Sequence, residues 1–491
     1  MTEVAIGLDI GTSSTKAVAV DRHGTVVAAV RGEHAVARPR PGWFEQDAQA
    51  VWWEQSCSLL QELMARPSVA QSAITATAIS GMGPCLLPTD GSGAPLRPAI
   101  LYGIDTRATA EIEDLTAQLG ADRILDRSGS ALSSQAVGPK LLWLQRHEPE
   151  LWARTARWFS TSSFLVGKLT GRYVLDHHTA SQCDPMYDLH AQTWVPGLAE
   201  ALSPGVPLPE LAWSDEIVGH VTAEAAAATG LPAGTPVLAG TVDAWAEAHS
   251  VGVRHDGDLM VMYGSTLFLV GVDAHANTHP GLWRTAGLAP GTGTVSAGMA
   301  TSGLLASWVA ETTGRTVAEL AAAAGRVPAG ADGLVVLPYF AGERSPLFDP
   351  GARGVALGLT LGHTPAHMMR AAYEAVAMGV RHNLEALDCA RRQAAGWRAV
   401  AIGGGAVGEL WPQLVSDVTG RAQDIPEQNL GACYGDALLA ATAAGMVPDG
   451  TDWTKLTRII HPRPELADLY DRRYALYREL YTVTRPLIDR L

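Results

Sequence analysis

Apolar residues run from Val4 to Val20 on both sides of a small polar turn, Gly11-Thr12-Ser13-Ser14, and a second turn, Asp21-Arg22-His23-Gly24, leads into Thr25 to Ala28. This pattern predicts short strands joined by tight turns, a β-meander at the start of the chain. Asp47 is placed to cap a helix through Trp52, Trp53 and Leu59 to Met64. Ile74 to Ser80 reads as a buried strand ended by Gly81-Met82-Gly83-Pro84, and Pro98 to Tyr102 as a shorter one that carries Tyr102, Asp105 and Arg107 into a loop before a helix near Ala108. Helical patterns follow around Lys140 and from Ser160 to Leu169, whereas Asp176 to Trp194 yields no firm element. The alanine-rich stretches Thr222 to Ala228 and Leu320 to Ala324 read as helices. Gly234 to His249 reads as strand, Gly-containing turn and helix, with Asp243 in the helix's first turn. Thr364 caps a long helix that has Pro365 at its first position, and Ala399 to Ala406 is a strand ending in three glycines ahead of a helix from Glu409 to Thr419.

The pattern also repeats. Leu259 to Val270 follows the opening stretch in its apolar strand, its glycine with two hydroxyl residues (Gly264, Ser265, Thr266) and its second apolar strand. Laid on Gly11 to Ser13, it puts Met262 where Asp9 stands. Two similar domains are expected, divided where the composition changes at Arg254-His255-Asp256-Gly257: residues 1–253 and 254–491.

Composition narrows the function classes. A chain of 491 residues with 47% hydrophobic and 18% charged content is expected to fold into large cores. The net charge of −14 argues against nonspecific nucleic-acid binding, which needs a basic surface. Cys57, Cys85, Cys183, Cys389 and Cys433 are far apart, which suits free thiols in a reducing cytoplasm. No apolar run approaches bilayer length, and the chain enters its first strand at once, so neither a membrane span nor a signal peptide is expected.

The turns carry the candidate chemistry. Gly11 lets backbone approach a ligand, while Thr12, Ser13 and nearby N–H groups can cradle phosphate oxygens, with Asp9 placed to hold hydrated Mg²⁺. An ordinary hairpin with a solvent-facing Asp explains the same stretch. The turn is not Gly-x-Gly-x-x-Gly and starts no helix, so a dinucleotide site fits poorly. Asp243 suits either a proton acceptor beside bound phosphate or a simple helix cap. Gly403, Gly404 and Gly405 permit flat contact by a purine or a phosphate. Asp105 with Arg107 fits hydroxyl binding or a surface salt bridge. His363 and His367 lack a third metal ligand, which favours surface or helix-terminus roles.

Together these stretches resemble the FGGY carbohydrate kinases. The matching motifs are Gly7-Leu8-Asp9-Ile10-Gly11-Thr12-Ser13, Gly240-Thr241-Val242-Asp243, Tyr263-Gly264-Ser265-Thr266 and Gly403-Gly404-Gly405-Ala406, together with the Gly342 to Pro346 loop. Within the family, Pro139 to Glu150 and Leu96 to Leu101 most resemble the xylulokinases. The resemblance implies an α/β protein of two actin-like (ribonuclease H-like) domains around a central ATP and sugar cleft. Asp243 then matches the catalytic base and Asp9 the Mg²⁺-associated carboxylate. Gly11, Thr12, Ser13, Gly264, Ser265 and Thr266 match the phosphate loops. Gly404, Gly405 and Glu409 fall where adenosine is contacted, with Glu409 replacing an Asn of some members. Gly83, Pro84 and Asp105 fall where sugar hydroxyls are bound. Similar enzymes suggest a homodimer. Where xylulokinases carry Gln-Met-His, this chain has Met82-Gly83-Pro84, which removes a hydrogen-bonding side chain from the sugar loop. The expected activity is ATP-dependent phosphorylation of a terminal hydroxyl on a ketopentose such as D-xylulose. Alternatives are another sugar or polyol (ribulose, a pentitol, a tetritol, glycerol, gluconate), and, in another class, an actin-like ATPase or a non-catalytic sugar sensor.

Overall fold

The structure is a computed structural model that describes residues 2–391, 396–427 and 430–491. The chain forms two units. One comprises Met1–Arg254, Arg284–Thr294 and Leu430–Thr454; the other comprises His255–Trp283, Val295–Asn429 and Lys455–Leu491.

The first unit begins with the expected meander: β1 (Glu3–Ile10), β2 (Ser14–Asp21) and β3 (Val26–Glu33), paired in antiparallel fashion. Four further strands complete its sheet: β4 (Ala73–Gly81), β5 (Ile217–His220), β6 (Pro236–Leu238) and β7 (Thr241–Val242). The order is β5-β6-β4-β1-β2-β3, with β7 pairing with β4, and β1 and β4 run parallel. Period-two alternation decides which face each residue of β1 covers. Val4, Ile6, Leu8 and Ile10 join a core that includes Trp52 and the Leu59, Leu60 and Leu63 side chains of α1 (Gln55–Ala65), while Ala5 belongs to a second core on the opposite face. Asp47 is the expected cap, accepting from the N–H groups of Gln49 and Ala50, but the turns it caps, Ala48–Glu54, wind as a π-helix before α1 begins. The strand after Pro98 is only Ala99–Ile100. The stretch from 176 that resisted reading contains the single helical turn His177–Ala180, capped by Asp176, and the two-residue strands Tyr187–Asp188 and Thr193–Trp194, all too short to show a period. β7 leads directly into α2 (Asp243–Ser250).

The second unit repeats the core pairing. β8 (Asp258–Tyr263) pairs with β9 (Leu267–Val272) in antiparallel and with β11 (Arg398–Ile402) in parallel, as β1 does with β2 and β4. With β10 (Gly293–Met299), β12 (Gln423–Pro426) and β13 (Leu456–Ile460), the order is β10-β9-β8-β11-β12-β13, and the short strand Trp283–Ala286 pairs with β10 as the seventh, at the edge. Thr364 caps α3 (Pro365–Ala390), and α4 (Leu410–Thr419) follows the glycines with Glu409 at its N-cap.

The chain then returns to the first unit through α5 (Ala432–Ala443). This helix lies on the second face of β1. A Cβ at Gly7 would fall 1.8 Å from the Cys433 carbonyl oxygen, and one at Gly435 would fall 1.8 Å from that of Ala246 in α2. Glycine at both positions lets backbone pack directly on backbone.

Candidate active site

Strand register assembles the first half of the site. In β1, Asp9 stands opposite Lys16 of β2 on one side and Ser80 of β4 on the other, and Ser80 in turn faces Thr241 of β7. Register partners share a face, so four strands present one polar row: Lys16, Asp9, Ser80, Thr241. Met262 occupies the corresponding place in the second unit, with Phe268 and Ile402 beside it. The two sheets thus repeat the same pairing with opposite chemistry, one row polar and the other apolar.

Helices bring further carboxylates to the polar row. Asp243 is the first residue of α2; the N-cap is Val242, and Asp243 Oδ1 accepts from the Ala244 N–H at 2.8 Å. Glu247 follows one turn later, at i+4 on the same helix face. From α5, Asp436 meets Ser80, whose hydroxyl donates to Asp436 Oδ2 at 2.6 Å. Asp9 Oδ1 and Asp436 Oδ1 are both buried without a hydrogen-bond partner.

Burial dominates the electrostatics. It pushes Asp243 up to about 6, against the pull of the Ala244 N–H and Lys16. Glu247 rises to about 7 through burial and the nearby Asp243. Asp9 and Asp436 are held well above the ordinary carboxylate range, each mainly by burial; the charge of Asp243 adds to the rise at Asp9, and Asp9 adds to the rise at Asp436. These four acids thus act on one another, and Lys16 pulls against the rise at Asp9, Asp243 and Glu247. Paired or neutralised charges are what such a buried set demands.

Each glycine turn is closed by the glycine's own N–H, across four residues in the first unit and three in the second. Gly11 N–H bonds the Ser14 carbonyl at 3.0 Å and Gly264 N–H bonds that of Thr266 at 3.1 Å. Thr12 shares a 2.8 Å hydroxyl bond with Tyr102, while Ser13 and Ser265 are exposed and Thr266 is half-buried. The three glycines after β11 differ from one another. Gly403 has φ +89° and packs on Tyr263, Gly405 lies where a Cβ would be 2.6 Å from the Trp411 ring, and Gly404 faces open space. Glu409 is exposed and makes no side-chain cap bond.

In the sugar-loop candidates, Gly83 lies where a Cβ would be 3.2 Å from Val242, the residue before Asp243. Pro84 is buried. Asp105 has both oxygens engaged: Oδ2 accepts from the Phe44 N–H and Arg107 Nη2, each at 2.7 Å, and Oδ1 from the Arg107 backbone N–H and Nε. Neither side chain of this ion pair is exposed, so it is no surface salt bridge; Arg107 also reaches Glu45 at 2.8 Å and covers the Trp43 ring. His367 pairs with Asp332, and no cluster of three or more metal-ligating side chains occurs among the described residues.

Residue-by-residue reading passed over Lys16, Ser80, Glu247 and Asp436. Glu247 was signalled by its i+4 spacing, and Lys16 by counting back across the hairpin. Asp436 had no local signal, because its neighbour Ser80 lies 356 residues away.

Comparison with known proteins identifies the family. Residues 4–249 match the N-terminal domain, and 259–444 the C-terminal domain, of the FGGY family of carbohydrate kinases. The chain belongs to this family. It is therefore an ATP-dependent carbohydrate kinase with the two-domain actin-like α/β fold of the family. It is 30% identical to the xylulose kinase of Escherichia coli K12, over 98% of this chain and 99% of that protein. A glycerol kinase from Alkalilimnicola ehrlichii is 28% identical over 90% of this chain and 91% of its own. The crystal structure of xylulose kinase from Rhodospirillum rubrum superposes with TM-score 0.92 at 33% identity, covering 99% of this chain and all of that one. Among the described residues, no helix is long and apolar enough to cross a membrane.

Proposed function

We propose that this kinase phosphorylates a terminal hydroxyl of a ketopentose, D-xylulose first among them, with Asp243 as the base. The observation that carries this reading is the carboxylate of Asp243: half-buried, first in its helix, oriented by the Ala244 N–H and raised to about 6. Such a group is ionised at neutral pH yet basic enough to take the hydroxyl proton as the oxygen attacks the γ-phosphate in line. Backbone N–H groups and hydroxyls of Gly11 to Ser13 offset charge on the transferring group, and those of Gly264 to Thr266 are the second unit's own candidate phosphate turn. Gly404, open on its Cβ side, suits the flat face of adenosine; Gly405 keeps the backbone against Trp411, and Glu409 is free to reach the nucleoside.

Mg²⁺ fits this reading. Asp9 Oδ1, buried and without a partner, is the kind of hard oxygen that holds a hydrated Mg²⁺, which when bound neutralises phosphate charge. Asp105, with its oxygens committed to Arg107, acts as a brace for the sugar loop, leaving Gly83 and Pro84 nearer the acceptor. Pro84 offers no side-chain hydrogen bond, and the glycerol kinase relative keeps a polyol as the second reading. The five free cysteines suit a reducing cytoplasm, and a homodimer is the assembly to test by light scattering.

The test is ADP release over D-xylulose, D-ribulose, xylitol, erythritol, glycerol and gluconate. D-Xylulose is expected to be the best acceptor. A polyol preference would overturn the ketopentose and keep the kinase chemistry, while ADP release independent of any acceptor would point to an ATPase. Asp243→Ala should lower kcat by at least 10³-fold with nucleotide affinity nearly unchanged. Equal losses of both would remove Asp243 from the role of base.

A further inference from the structure

The first unit also holds a chain of hydrogen bonds, from half-buried Gln135 to buried Gln182 and His178, that the phosphoryl-transfer steps do not use. Gln135 Nε2 donates to the Gly83 carbonyl at 3.0 Å and to Gln182 Oε1 at 3.2 Å, while Gln135 Oε1 accepts from the Gly103 N–H at 3.0 Å. Gln182 Nε2 lies 3.1 Å from His178 Nε2, and His178 Nδ1 lies 2.6 Å from the Ala286 carbonyl oxygen.

Elementary donor and acceptor rules fix every proton in this chain. A carbonyl oxygen only accepts, so His178 Nδ1 carries hydrogen. Burial pushes the imidazole down to about 4, so at neutral pH Nε2 is a bare acceptor. Gln182 must then turn its NH₂ to His178 and its oxygen to Gln135. Both N–H bonds of Gln135 are spent. Gln182 keeps one N–H for which no acceptor is found among the described residues. The ends of the chain lean on the two flanks of the base: Gly83 against Val242, and the His178 ring, 4.0 Å between centroids, against Trp245.

We propose that Gln182 binds the acceptor substrate, its spare amide N–H donating to a carbonyl or hydroxyl oxygen of a polyhydroxylated compound, and that His178 is the positioning residue that sets which end of the amide faces it. The donor absent from the Pro84 side chain is supplied from a different loop. This inference rests on the kinase reading and names the group that reads its acceptor.

The experiment measures KM and kcat of the full chain with each panel compound at saturating ATP. Gln182→Met is expected to raise KM for the preferred acceptor about 10-fold with kcat within about threefold. Gln182→Glu keeps the shape, replaces the donor by an acceptor, and is expected to raise KM at least as much; it serves where Gln182→Met fails to fold. His178→Phe should raise KM in the same sense, and His178→Gln, which restores an acceptor, should recover part of the loss; a merely structural role predicts no such rescue. A KM within twofold of wild type in both Gln182 variants overturns the inference while the kinase reading stands. A wild-type protein that phosphorylates no panel compound overturns both.

Discussion

Asp243 and Asp9 feel the charges of neighbouring acids, Glu247 and Asp436 among them, and the balance of protons among these acids is open to measurement. Asp243 works as a base only when ionised. With its pKa near 6, kcat is expected to fall as pH drops through about 6, tenfold per unit below it, in a profile at saturating substrates. Stability moves in the opposite sense. An acid whose pKa is higher folded than unfolded binds more protons in the native state between the two values, so its contribution worsens as pH rises through that window. Asp436→Asn retains an oxygen to accept the Ser80 hydroxyl while removing the carboxylate. It should raise the thermal midpoint by about 2–4 °C at pH 7, on the order of 1 kcal/mol. The gain should shrink as pH approaches about 4, where an unfolded Asp is itself half protonated. At this scale the sequence revealed Asp9 and Asp243 through the turns that hold them. Lys16 was within reach of a register count, whereas Asp436 depends on a contact no local pattern encodes.

At the scale of elements, the hairpin and its glycine were the most legible features, because period-two apolar runs and a Gly-hydroxyl turn leave few alternatives. The Gly264 turn repeats the Gly11 turn in its glycine and hydroxyl residues but is one residue shorter, closing on Thr266 where the first closes on Ser14. Glycines were harder to interpret than strands. Gly7 belongs to the opening motif yet is a packing residue: it admits the backbone of α5. Gly7→Ala would place a methyl 1.8 Å from the Cys433 oxygen and 2.7 Å from the Ala437 nitrogen, both backbone atoms that a helix cannot yield singly. A cost of about 3 kcal/mol or more is expected, read as a lower thermal midpoint or loss of soluble protein. The short pieces after Asp176 stayed illegible for the opposite reason: two-residue strands and one helical turn owe their form to the surrounding core.

At the scale of the molecule, the repeat of strand pairing announced two units, while their composition could not be read along the chain. Arg284–Thr294 and Leu430–Thr454 belong with the first unit. We expect a fragment ending at Arg254 to lack a cooperative thermal transition, since the face of β1 and β4 that α5 covers would be bare. Calorimetry of that fragment against the full chain checks this; a sharp transition in the fragment would show that the first unit is autonomous without its late segments.

The late arrival of α5 also sets a clock. During synthesis, Asp9 and Asp243 emerge from the ribosome with the first 254 residues, but Leu430, where the returning segment starts, follows 176 residues later, roughly 10 to 35 seconds at usual elongation rates. Through that interval the nascent chain carries the reactive acids without the helix that buries them. A chain interrupted between these points carries Asp9 and Asp243 without the late segment that belongs to their unit.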